Sequence, residues 1–255
     1  MTTHPWIEPD WPAPDTVRAA ITTRTPIEDS SASPYEGFNL ATHVGDDEAS
    51  VLNQRQLLQR QLGYRQSPQW LEQIHGIKVV DAQSDNRVRT ADGCFTDDKQ
   101  LPCVVMTADC LPVLICDQAG TQVAAVHAGW RSLAGGILRE AMGRFSAPAD
   151  QLLIYLGPAI SQPHFEVGID VLEGFYDGAI NAEHCEAISS AFQPSFNKPM
   201  KFHADLYQLA RVELQQLGVS QFYGGDFCTF SESERFYSYR RDGQTGRMAT
   251  LIWLT

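Results

Sequence analysis

CVVMTADCLPVLICDQAGTQVAAVHAGWRSLAGGIL, residues 103–138, decides the fold. Three short apolar runs, 103–107, 113–116 and 122–127, are broken by Asp, Pro and Gly, which reads as successive strands. After His127 the period changes. Leu133, Ile137, Leu138 and Met142 recur at helical spacing, so one helix is expected to follow. Upstream, 69–75 and 78–82 read as further strands. Downstream, 152–156 is another, ending in the turn Gly157-Pro158, and 171–178 and 205–217 read as helices, the second opened by Asp205 and stopped at Gly218. Towards the ends, 17–23 looks like a first strand, 25–38 a loop, and 46–62 a helix capped by Asp46 or Asp47. Residues 1–15, with four Pro and two Trp, read as an irregular arm. The tail, 236–239 and 247–254, looks like a hairpin around Arg241-Asp242-Gly243. Strands and helices mix without βαβ alternation. The expected fold is therefore α+β, with mixed β-sheets packed as a sandwich and flanked by helices. No linker divides residues 1–255, so one domain is expected.

The composition narrows the function classes. The chain has 255 residues, 19 basic and 31 acidic, for a formal charge of −12. Neutralising a phosphate backbone needs clustered Lys and Arg, so nucleic acid and anionic membranes are poor partners. The N-terminus lacks the basic and apolar regions of a secretory signal, and no apolar run approaches membrane length. The expectation is a cytoplasmic protein, monomeric or a small homo-oligomer. Its six Cys include no CxxC pair and read as reduced thiols.

Three segments carry chemistry: QIHG at 73–76, TADC at 107–110 and AVHAGW at 125–130. Each sets a metal-ligand type at a strand end: His75, Cys110 and His127. Two imidazoles and a thiolate with an open fourth position are a recurrent catalytic zinc arrangement. Spacing alone also allows hydrogen-bonded structural His and an inert buried Cys. Asp109 is a candidate to orient an imidazole or to act as a base, and equally a turn residue. Arg131, at a helix start, and Arg240 are candidate anion binders. Copper chemistry is limited by counting: seven His, at 4, 43, 75, 127, 164, 184 and 203, cannot fill a blue-copper centre plus a three-copper cluster.

These segments resemble the YfiH-like laccase-domain family, also labelled polyphenol oxidase. The resemblance runs through FNLATHVGDD (38–47), QIHG (73–76), ADGCFTD (91–97), VMTADCLPVLICD (105–117), AAVHAGWRSLAGGIL (124–138), LGPAI (156–160), FEVG (165–168) and FYSYRRDGQTGRMATLIWL (236–254). It implies a single-domain fold of mixed sheets between helices, with His75, Cys110 and His127 as metal and catalytic residues. It further implies purine nucleoside chemistry: phosphorolysis of adenosine, inosine or methylthioadenosine, and in some members deamination of adenosine. Zn2+ is the expected cofactor, with copper an alternative occupant. Arg24, Arg131 and Arg240 are candidate phosphate clamps, Asn39 a further substrate- or phosphate-binding residue, and Asp109 a proton shuttle. The chain departs from the family after Thr22-Thr23-Arg24, where TPIEDSSASPY replaces a Gly-Gly-Val-Ser-like stretch. It also departs at His164, where relatives often carry Cys. The rival readings are a cysteine-type amide hydrolase acting on a cell-wall peptide precursor, a copper-dependent phenol oxidase, and a non-enzymatic zinc-binding module.

Overall fold

The computed structural model describes residues 5–28, 31–196 and 198–255. At its centre is a six-stranded sheet in the order Phe222–Gly224, Leu152–Leu156, Leu111–Asp117, Val123–Ala128, Gly93–Thr96, Val79–Asp81. The inner pairings are antiparallel and the two outer ones parallel. An antiparallel four-stranded sheet, Trp6–Ile7, Val17–Thr22, Met248–Leu254, Cys103–Thr107, packs on one of its faces.

Side-chain alternation explains the layering. Leu152, Ile154 and Leu156 face one core, while Leu153 and Tyr155 face the other. The first core is closed by helices contributing Leu133, Ile137, Phe175, Leu206 and Leu209. The second lies between the sheets, where Leu114 and Ala125 meet Val105 and Ile252. The outer face of the four-stranded sheet, with Val104, Met106 and Trp253, is covered by Phe38, Leu40 and Leu58, the last on the helix Glu48–Leu62. Strands buried on both faces read as unbroken apolar runs, which is the pattern of residues 111–128. The result is the helix-flanked sandwich of mixed sheets expected from sequence. Among the described residues no helix is long and apolar enough to cross a membrane.

Two helix starts follow their capping residues. Asp47 accepts from Ser50 N and Asp205 from Gln208 N, as Asx caps do. The single helix expected after His127 is instead two, Trp130–Ala134 and Ile137–Met142, because Gly136 between them takes φ 90°, a left-handed turn.

The tail corrects the sequence reading. Residues 236–239 form no strand: Ser238 accepts from Arg241 N and opens a helical turn, Tyr239–Asp242. Met248–Leu254 pairs with Val17–Thr22 and Cys103–Thr107 rather than with its neighbour in sequence. In the N-terminal arm, residues 1–4 lie outside the described residues, and Trp6 and Ile7 pair with Thr22 and Ile21. The strand expected over 69–75 is only Leu71–Glu72, which leaves the residues up to His75 as loop.

One buried carboxylate carries a stability cost. Glu213 Oε1 lies 3.5 Å from Arg139 Nε on the buried side of Leu206–Gln216. Burial pushes this carboxyl from 4.5 up to about 7, outweighing Arg139. From pH 4.5 to 7 the native state holds a proton that the unfolded chain has released, so this group makes stability fall as pH rises. Glu213→Gln is therefore expected to stabilise the fold at pH 8 by at most about 3 kcal/mol and to give no gain near pH 4. Urea denaturation at the two pH values checks this, and an equal effect at both would refute it.

Candidate active site

The sandwich brings three side chains from distant segments to one end of its strands. Cys110 sits in the tight connection between Cys103–Thr107 and Leu111–Asp117, His127 in Val123–Ala128, and His75 in the loop after Leu71–Glu72. Their ligand atoms lie within 4.8 Å of one another, and Cys110 Sγ is 3.7 Å from His75 Nε2. His127 is buried, Cys110 half-buried and His75 exposed, so the group opens to solvent on one side.

Asp92, a fully buried residue, holds both histidines. Its Oδ1 accepts from His75 N at 2.9 Å and meets His127 Nδ1 at 2.8 Å. Its Oδ2 accepts from Gly76 N at 2.7 Å and Ile74 N at 3.2 Å. His75 has φ 59°, a left-handed conformation that costs a non-glycine residue about 1–2 kcal/mol. The bonds to Asp92 hold the loop in it. With Nδ1 engaged, His127 turns Nε2 towards Cys110. Burial raises the Asp92 carboxyl, but the bonds from His127, Gly76 and His75 outweigh it and hold the group below the usual carboxylate range. Gln73 fixes the loop from its other end, donating to Met106 O and accepting from Met106 N, both at 2.8 Å.

Electrostatics favour a thiolate. Burial raises the Cys110 thiol, but the charge of His127 and bonds from both imidazoles hold it at about 6. Reciprocally, burial lowers His127, while Cys110 and Asp92 bring it up to about 9. A thiolate and two imidazoles, one anchored by a buried carboxylate, are a donor set that fits a metal ion. Gly129 fits it too. A Cβ there would lie 2.9 Å from His75 Cδ2, 3.2 Å from Cys110 Sγ and 3.3 Å from His127 Cε1. Its φ of −58° suits any residue, so the constraint is space alone. Gly129→Ala is expected to weaken metal binding about tenfold or more with the fold retained. Chelator competition checks this, and unchanged affinity would show that the space above the ligands is spare.

Two cavities meet at this group. One, about 370 Å³, is lined by the three ligands with His43, Tyr239 and Arg247. The other, about 270 Å³, is lined by Trp130, Phe165, Ile160 and Leu206, with Asp109, Arg131 and Arg240 at its polar side. Ala108, Cys110 and Tyr239 belong to both. Tyr239 is 62% exposed and stands between the lobes.

The remaining candidates distribute as follows. Arg131 lies over the Trp130 ring at 4.2 Å in the aromatic lobe. Arg240 reaches the same lobe but donates to His164 O and Glu166 O. Asp109 accepts from Thr229 Oγ1 at 2.6 Å and Arg240 N at 2.7 Å, so the carboxylate that meets an imidazole is Asp92. Arg24 and Asn39 line neither lobe. Arg24 donates to Ser233 O and Glu36 O, and Asn39 Oδ1 accepts from Arg247 N. His164 stacks on Phe230 at 4.5 Å instead of joining the ligand group. Sequence reasoning missed Asp92, His43, Tyr239 and Arg247. An Asp directly before the apolar run 93–96 was the available signal for the first.

Fold and site together define a helix-flanked β-sandwich built round one histidine–cysteine–histidine group able to hold a metal ion. The chain belongs to the multi-copper polyphenol oxidoreductase laccase family, whose description it matches over residues 18–255. It is 49% identical over 249 residues to a Pseudomonas aeruginosa protein named purine nucleoside phosphorylase, covering 98% of each chain. It is 44% identical over 249 residues to purine nucleoside phosphorylase YfiH of Escherichia coli, covering 97% of this chain and 98% of the other. The crystal structure of a Neisseria meningitidis protein superposes with a TM-score of 0.90 at 45% identity, covering 98% of this chain and 99% of that one.

Proposed function

We propose that this chain is a zinc-dependent purine nucleoside phosphorylase. It would cleave adenosine, inosine or methylthioadenosine with phosphate to the free base and ribose 1-phosphate, with adenosine deamination as a companion activity. One observation carries the reading: the ligand group lies where an aromatic lobe edged by Arg131 and Arg240 meets a second lobe holding Arg247, in a chain that aligns end to end with relatives bearing that name. Phosphorolysis needs a flat apolar surface for the base, a cation for phosphate and exclusion of water.

In the reaction a phosphate oxygen bonds to C1′ as the C1′–N bond breaks. The electron pair leaves with the purine, which takes up a proton. His75, Cys110 and His127 would hold the zinc, which supplies Lewis acidity at the junction when bound. Asp92 orients the His127 imidazole and holds the backbone of the His75 loop. Trp130 and Phe165 would line the base-binding lobe, with Arg131 offering donors beside them. Asp109 borders the same lobe and is the candidate proton carrier to the leaving purine. Arg240 would act through the wall that it ties to residues 164–166.

Adenosine turnover by zinc-loaded protein, with and without phosphate and with adenine resolved from inosine, tests the reading. Phosphate-dependent adenine is the expected product. Inosine alone would make the chain a deaminase, and neither product would end the nucleoside assignment.

A further inference from the structure

Arginines near the cleft differ in what they are bonded to. Arg24 and Arg240 direct guanidinium donors at main-chain carbonyls away from the ligand group, and Arg241 is paired with Asp242. Arg131 lies over the Trp130 ring in the other lobe, and Arg247 differs from all of these in its position. It lines the same cavity as His75, Cys110 and His127. Its Nη1 donates to Thr245 O at 2.8 Å and Gly246 O at 3.0 Å. Among the described residues no carboxylate is ion-paired with it, and Nε and Nη2 have no protein acceptor. Burial disfavours its charge, and only the weaker pull of Cys110, Asp109 and two tyrosines offsets this. A largely desolvated guanidinium facing a cavity without an anionic partner of its own is an arrangement an anion completes.

His43 lies in the same wall, exposed to solvent, with neither ring nitrogen bonded to protein among the described residues. The backbone under Arg247 is built to hold position. Its N–H donates to Asn39 Oδ1 at 3.0 Å, and Asn39 Nδ2 in turn donates to Asp46 Oδ2 at 2.9 Å. Asn39 thereby acts on the cleft as a positioning residue for Arg247, without touching it. In a chain of net charge −12, a half-buried guanidinium beside the ligand group is a local exception.

We infer that Arg247 and His43 form the subsite for inorganic phosphate, on the ligand-group side of the cleft and opposite the aromatic lobe that takes the purine. The inference rests on the phosphorolysis reading and assigns the clamp to a residue other than Arg24, Arg131 or Arg240. The planar fork of Arg247 meets two phosphate oxygens, and His43 donates to a third.

The test is calorimetric titration of inorganic phosphate into the zinc-loaded chain, paired with steady-state kinetics. Loss of two charge-assisted bonds predicts phosphate binding weaker, and KM for phosphate higher, by about 30-fold or more in Arg247→Gln, with nucleoside KM within about threefold. Arg247→Lys keeps the charge but not the fork, so it is expected between the two; His43→Gln should cost about five- to tenfold. His43→Gln and Arg247→Lys carry the test if Arg247→Gln does not fold. Asn39→Ala should raise phosphate KM in the same direction, and Arg247→Gln should leave bound zinc unchanged. Equal phosphate affinity in wild type, Arg247→Lys and His43→Gln overturns the subsite while leaving phosphorolysis standing. A wild type that neither binds nor uses phosphate overturns both.

Discussion

Asp92→Ala is expected to release the metal and to destabilise the fold by about 3–5 kcal/mol, the range for removing one partner of a buried charged pair. The change orphans the Nδ1–H of buried His127 and the N–H groups of Ile74, His75 and Gly76 together. It also frees His75 to leave its φ of 59°, so one ligand loses its place and another its orientation. At about 2–4 °C per kcal/mol for a chain of this size, the thermal midpoint should drop by roughly 10 °C. Metal affinity should fall by about 100-fold or more, at or beyond the top of the range for an outer-shell partner, because both histidines depend on the same carboxylate. Asp92→Asn separates shape from charge. It keeps one acceptor oxygen but turns an NH2 group on to donors, so it is expected to recover little affinity. Metal content after dialysis and the melting curve read the two effects separately. Retention of tight metal binding by Asp92→Ala would show that the loop holds His75 unaided.

Asp92 also shows where sequence reasoning stops. Spacing sets His75, Cys110 and His127 at or just beyond short strand-like runs, but it is the family resemblance that singles them out as ligands. Asp92 before a glycine looks like any turn residue. Its role appears only when Gly93–Thr96 pairs with Val123–Ala128 and sets the carboxylate beside His127. Arg247 was hidden for a similar reason. It follows Gly246 in what reads as a hairpin arm, and only the non-local insertion of Met248–Leu254 between Val17–Thr22 and Cys103–Thr107 carries it to the cleft. The layering was legible from the apolar runs. The partners of those runs were not, since strand order depends on contacts between segments far apart in the chain.

The same topology gives the site its precision. His127 is fixed inside a strand buried on both faces, and Cys110 by a three-residue connection between two such strands, so neither moves without disturbing the sandwich. His75 alone lies on a loop, and there two polar clamps, Asp92 and the Gln73–Met106 pair, substitute for a strand.

Cys110→Ala should abolish stoichiometric zinc and lower phosphorolysis by about 10³-fold or more, equivalent to about 4 kcal/mol of transition-state stabilisation, with the melting curve little changed. The variant removes one of three ligands from a half-buried position, where the lost sulfur leaves no closed core cavity. The same residue is also where the amide-hydrolase reading is tested. A thiol held at about 6 beside an imidazole is also the signature of a nucleophile, so loss of activity in Cys110→Ala alone does not separate the two roles. Metal-free wild type does. As a ligand, Cys110 should be alkylated by iodoacetamide at pH 7 ahead of the other five cysteines, four of which are buried, and zinc should protect it. Burial and Asp117 push Cys116, for example, up to about 12. Activity should be absent before alkylation and return on adding zinc to unalkylated protein. If metal-free protein is active, zinc fails to protect the thiol and alkylation abolishes turnover, Cys110 is the nucleophile and the metal assignment falls.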